Sequence, residues 1–264
     1  MHIQFEIILR GVTHAERISE ITKSSWIFST FGSYFISVAN QKLFQYSDPY
    51  RNANLKNSSE LLGTGCVNDY VGKLYLAFVR AIPYAMEVVP ADLTHYMSSI
   101  NDAQWETKCK SWYEDAELHL EPDDPQWEVY GDAMEWRSAR MIDCDHLTNA
   151  PRFWLWREKD QIAIEWNNRE IVFDKGPVYT AEIGRETNTI DEFSKSFLRF
   201  ESRLLSNVFP PCTSSATSIR SVSDEELAIA IRNQILRSRE NCFVPTVTDW
   251  DKVRRALNVI IERW

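Results

Sequence analysis

Apolar and polar positions alternate from the start of the chain. In "IQFEIIL", Ile3, Phe5, Ile7 and Leu9 fall on one side and Gln4 and Glu6 on the other, the period of a half-buried strand. Short aromatic and β-branched runs continue through "SSWIFSTFGSYFISVANQKLFQYSD". Gly32 and the Asn40-Gln41 pair supply the breaks, so "SYFISV" and "KLFQYS" form a hairpin and the N-terminal region reads as a β-meander. Residues 48–64, rich in Asn, Ser and Pro, make a connecting loop. From Val67 the period lengthens: Val67, Tyr70, Val71, Leu74, Phe78 and Ile82 recur at spacings of three and four, one stripe of a helix that Pro83 and Pro90 bound or kink.

Two further helices are expected near 102–118 and 125–141. Asp124 is placed to cap the second, with Pro125 at its first position and Glu128 soon after. The stretch "NAPRFWLWREKDQIAIEWNN" then returns to a period of two. With a turn at Lys159 and Asp160, Phe153 and Leu155 share a core face with Ile162, Ile164 and Trp166. Trp154 and Trp156 project to the other side with Ala163, Glu165 and Asn167, where either a covering helix or a ligand pocket fits the pattern, the helix being the simpler expectation. "GPVYTAEI" reads as a further strand, and "TIDEFSKSFLRFESRLLSNVF" as a helix opened by a Thr189/Glu192 capping box.

"PPCTSSATSIRS" at residues 210–221 is small, polar and proline-led, the composition of a linker. It divides an α+β main domain (1–209) from a C-terminal helical extension (222–264). Ser223 with Glu226 and Thr248 with Asp251 suit the N-termini of its two helices. Their stripes, Leu227, Ile231 and Ile235 and then Leu257, Ile260 and Ile261, fit either a module that docks onto another protein or helices that pair with each other and cap the main domain, the latter being the simpler expectation. The expected fold is α+β: an antiparallel meander and a later hairpin forming a sheet, packed by several helices, with a C-terminal helical pair.

Composition adds an aromatic interior: 10 Trp, 10 Tyr and 13 Phe stand against 8 Gly in 264 residues. The first residues lack the basic start, long apolar run and cleavage site of a secretory signal, and no apolar stretch reaches a membrane span. Cys66, Cys109, Cys144, Cys212 and Cys242 are odd in number and scattered without a C-x-x-C pair, which suits free thiols in a reducing cytoplasm. A net charge of −9 argues against a nucleic-acid binder and in favour of basic partners.

That charge is concentrated. Residues 111–136, "SWYEDAELHLEPDDPQWEVYGDAMEW", hold nine acidic residues and no Lys or Arg. Placed on two helices and their loop, Asp115, Glu117, Glu121, Asp123, Asp124 and Glu128 form a negative surface able to steer a basic partner, with Trp127 among them as an aromatic anchor. A solvated acidic loop explains the same residues. His119, Glu121 and Asp123 make only a weak metal pattern, with no H-E-x-x-H or EF-hand loop beside them, and no G-x-S-x-G or local cysteine signature marks a nucleophile. "GTGC" at 63–66 lacks the lysine of a phosphate loop. No catalytic residue, metal ligand or cofactor is assigned.

Several segments together resemble an uncharacterised bacterial family, a domain of unknown function associated with toxin-immunity neighbourhoods. They are "IQFEIILR", "KLFQYSD", "RAIPYAMEVVPADL", "LTNAPRFWLWREKDQIAIEWNN" and "TDWDKVRRAL". Here "SSWIFSTFGSYFISV" departs from the family's Trp-Phe-Gly-Leu-Thr-Asp-Gly-like pattern. The resemblance brings no catalytic residues. It implies a cytoplasmic immunity protein that occludes a cognate, basic toxin domain, the acidic 111–136 region being its specific part. The rival expectation is a small-molecule binder or enzyme with a pocket around Trp154, Trp156, Glu165 and Asn167.

Overall fold

The computed structural model describes residues 3–9, 27, 30–54, 65–98, 103–174, 176–208 and 224–262. The architecture is α+β. In the first sheet, β1 (Gln4–Leu9) lies antiparallel along one edge of β2 (Phe31–Val38). The other edge of β2 is shared by β3 (Gln41–Leu43) and β4 (Val67–Tyr70), both antiparallel. Strict alternation buries Tyr34, Ile36 and Val38. The β2–β3 turn is Ala39-Asn40, with φ of 51° and 66°, the left-handed pair whose twist matches a two-residue hairpin.

Three expectations for this half change. Gly32 is not a break but a residue of β2, paired with Leu9 and Asp69. Residues 48–54 of the expected loop form a short helix, α1 (Asp48–Asn54), while 55–64 lie outside the described residues. Val67 and Tyr70 belong to β4 and not to a helix. The free edge of β2 takes up their backbone groups, and α2 (Val71–Met86) begins only at Val71, where Thr30 Oγ1 accepts the Gly72 amide at 2.8 Å. Pro83 sits inside α2 without ending it.

The hairpin of β5 (Phe153–Glu158) and β6 (Gln161–Asn167) turns at Lys159-Asp160, with Phe153 opposite Trp166 and Leu155 opposite Ile164. A third strand, β9 (Ile183–Thr189), pairs with β6 over its whole length. Of the strand expected over "GPVYTAEI", only β8 (Gly176–Pro177), which pairs with β7 (Val172–Phe173), and the start of β9 are strand. β9 lacks hydrophobic alternation because it is an edge strand with one neighbour, so its register comes from backbone pairing. At Gly184 the indole of Trp166 lies directly on the backbone: a Cβ would fall 2.2 Å from a ring carbon. The capping box at the start of α6 (Ile190–Val208) is formed as expected, with Glu192 accepting the Thr189 amide and Thr189 Oγ1 accepting the Glu192 amide, each at 3.2 Å.

Both faces of the β5–β6 hairpin are core. Phe153, Leu155, Ile162, Ile164 and Trp166 join Phe5, Phe78 of α2 and Phe197 and Phe200 of α6. Within that cluster Phe5 meets Phe78 edge-on at 5.2 Å and stacks on Phe200 at 4.8 Å. On the opposite face Trp154, Trp156 and Ala163 lie under Val89, Leu93 and Met97, the last at the end of the short α3 (Thr94–Met97). Three helices complete the cover: α4 (Ala103–His119), α5 (Gln126–Ser138) and α8 (Trp250–Glu262), which bring Trp112, Trp136 and Leu257 to the same cluster.

The C-terminal helices dock on different clusters. Ile235 of α7 (Asp224–Arg239) enters the first, and Leu257 and Ile260 of α8 enter the second. The start of α8 is tied down by Glu87, whose carboxylate accepts the amide and hydroxyl of Thr248 and the buried Arg140 guanidinium at 2.9 Å. Arg140 also stacks over Trp250 at 5.1 Å. Because Thr248 is engaged by Glu87, it does not form the expected capping box with Asp251. Asp249 caps instead, accepting the Lys252 amide at 2.9 Å. Ser223, the capping residue expected to act with Glu226, and the linker at 210–221 lie outside the described residues.

Gly184→Ala should cost about 1–3 kcal/mol of stability in urea unfolding, the range for overpacking a filled core. The loss should shrink when the same change is made in a Trp166→Phe background, where the ring is smaller. Equal losses in both backgrounds would show that the indole contact is not what requires glycine.

Candidate functional site

The two helices that carry the acidic residues form a hairpin held together by rings. Trp112, fully buried on α4, stacks on Tyr130 of α5 at 5.0 Å and meets Trp127 edge-on at 6.0 Å. Tyr113 packs against both partners, at 5.6 Å from each. The Trp127 indole N–H donates to the Glu121 carbonyl at 3.0 Å and closes the loop between the helices. Asp124 accepts the Gln126 amide at 2.8 Å, so the expected cap at the start of α5 is in place.

Outward from this clamp, Glu117, Glu121, Asp123 and Glu128 are exposed, and Asp115 and Asp124 are partly exposed. The structure thus brings the predicted carboxylates onto one ridge: the end of α4, the loop and the start of α5. Trp127 stands behind them as the clamp, half-buried, rather than protruding as an anchor. The sequence reading passed over Leu118. It is 80% exposed between Glu117 and Glu121, the place of an apolar contact residue, and its signal is a lone leucine outside the buried stripe Trp105, Cys109, Trp112 and Ala116.

Local partners shape the ridge. The Tyr113 hydroxyl donates to Glu117, which with that carboxylate's charge raises the phenol's pKa. His119 lies 3.3 Å from Asp115, and its ring meets the Asp115 carbonyl at 2.8 Å. On the far side of α5, Lys252 of α8 pairs with Asp132 at 2.8 Å, and this hydrogen bond raises the lysine's pKa. Among the described residues, no group of three or more His, Cys, Asp or Glu side chains is arranged to hold a metal ion.

The pocket expected around Trp154, Trp156, Glu165 and Asn167 divides differently. Trp156 and Glu165 are fully enclosed, Glu165 accepting the Ser98 hydroxyl at 2.8 Å. Asn167, at the end of β6, is half-buried. Trp154 alone of the four lines an open groove of about 450 Å³ between α4, α5 and β5. Lys110, Arg137 and Arg152 also line it, and among the described residues no carboxylate does. Those three cations are separated by sequence, which is why the pattern of any single segment missed them.

Comparison with known proteins identifies one relation. The model of a family of unknown function, DUF5984, matches residues 3–209, and the chain belongs to that family. The match carries no tie to toxin-immunity systems. No curated protein and no solved structure matches the chain significantly. Among the described residues no helix is long and apolar enough to cross a membrane.

Trp127→Phe keeps the ring contacts but removes the donor to Glu121. Backbone exchange at Asp124 and Trp127, whose amides are hydrogen-bonded within this loop, should quicken about fivefold, matching a hydrogen bond of about 1 kcal/mol. Unchanged exchange would mean that the indole N–H does not close the loop.

Proposed function

We propose that this member of DUF5984 is an immunity protein that binds a cognate toxin domain and occludes its basic active site with the acidic ridge, acting by binding and not by catalysis. The observation that carries the proposal is the ridge itself: exposed carboxylates around an exposed Leu118, on a helical hairpin clamped by Trp112, Trp127 and Tyr130. A rigid backing matters because a surface already held in its binding geometry loses little conformational freedom on association. Concentrated negative charge supplies steering toward a positive groove, and Leu118 supplies apolar area that the charges do not.

The cytoplasm is the proposed location, and the partner is proposed to be a basic protein. A nuclease domain would suit, because its substrate groove must attract phosphate and would equally attract this ridge. An interface of standard size would bury about 1,600 Å² in total.

The test is co-expression with the products of the genes adjacent to its own, followed by affinity measurement at low and high salt. The partner should be basic, and its association should slow as salt rises. A variant carrying Asp115→Asn, Glu121→Gln, Asp123→Asn, Asp124→Asn and Glu128→Gln should stay folded, since Asn also serves as an N-cap. It should bind at least about tenfold more weakly, chiefly through slower association. Leu118→Ala should weaken binding without altering the salt dependence. A partner bound equally well by the amide variant, or no partner among those products, would overturn the proposal.

A further inference from the structure

The groove behind the ridge has the opposite character. Lys110 and Tyr113 lie three residues apart on one side of α4, and Tyr130, Met134 and Arg137 recur at spacings of four and three on one side of α5. Arg152, just before β5, and Trp154 within it close the third side. In a chain of net charge −9, this lining holds, among the described residues, three cations and no carboxylate.

Arg137 is 7% exposed and lies over the Trp154 ring at 5.1 Å, so its guanidinium is held in place at the edge of the groove. Lys110 and Arg152 stand at the rim. Their carboxylate partners there, Glu114 at 3.7 Å and Glu170 at 3.5 Å, form exposed ion pairs of the kind that contribute little and exchange readily. Between the cations are flat or polarisable surfaces: Tyr113, Tyr130, Trp154, Met134 and Met141. A volume of about 450 Å³ suits one small molecule.

We infer that this groove binds a small organic anion with a planar body, whose ring lies against the tyrosines and methionines and whose anionic head meets Arg137, Arg152 and Lys110. The head is a carboxylate or a phosphate, since guanidinium groups bind either through charge-assisted hydrogen bonds. The site is separate from the acidic ridge, none of whose carboxylates lines it, and a ligand here does not depend on a protein partner.

Isothermal titration of the full chain tests the inference with four probes: 2-naphthoate, adenosine monophosphate, inorganic phosphate and uncharged 2-naphthol. At least one of the first two should bind with a dissociation constant below about 1 mM, and phosphate and 2-naphthol should bind more weakly than it does. Naphthoate alone identifies a carboxylate ligand, and the nucleotide alone a phosphate one. Arg152→Gln and Lys110→Gln, both at exposed positions that should leave the unfolding midpoint in place, should together weaken binding about tenfold. Arg137→Gln should weaken it further. Should Arg137→Gln fail to fold, the two rim substitutions still decide the matter. No binding of either aromatic anion by the wild-type chain, or binding unchanged by the rim substitutions, would overturn the inference, as would phosphate binding as tightly as the nucleotide.

Discussion

Alternate side chains of a strand point to opposite faces, and in the β5–β6 hairpin both sets are large and apolar. Phe153 and Leu155 must be buried on one side and Trp154 and Trp156 on the other. A hairpin with two apolar faces is stable only between two layers, so the first sheet with α2 and α6 covers one face and α4, α5 and α8 cover the other. The acidic hairpin is therefore not an appendage. Its inner side is the lid of the second core, and its outer side is free to carry charge.

The same constraint explains why the last helices matter. The family match ends at residue 209, yet Val253, Ala256, Leu257 and Ile260 lie in the second core, against which α5 also packs. Glu87 and Arg140 hold the start of α8, and the buried arginine remains compatible with its surroundings because Glu87 and two indole faces meet it. Burial lowers the Arg140 pKa and Glu87 opposes that shift. Removing one partner of such a pair leaves an uncompensated buried charge, a far larger penalty than losing a surface pair.

Charge is sorted by this arrangement. Carboxylates of α4, α5 and their loop face outward, while Lys110, Arg137 and Arg152 converge on the groove between the same two helices and β5. One helical hairpin thus presents two surfaces of opposite sign within a few residues, because a helix turns its side chains through a full circle every 3.6 positions.

Local pattern alone determined the elements whose signal is periodic or chemical: the β5–β6 register from its alternation, α6 from the Thr189/Glu192 box, and the start of α5 from Asp124 and Pro125. The clustering of carboxylates in residues 111–136 was equally visible, since neighbours in sequence on adjoining helices stay neighbours in space. What depended on distant partners was not. Val67–Tyr70 became a strand because β2 offered a free edge, and β9 is a strand with no hydrophobic alternation because β6 pairs with it. Thr248 gave up its cap to Glu87, 161 residues away. The groove, finally, is built from α4, α5 and β5, and its three cations converge only when the second core brings those elements together. Sequence spacing encodes the face a residue occupies on its own element, and only packing decides which faces meet.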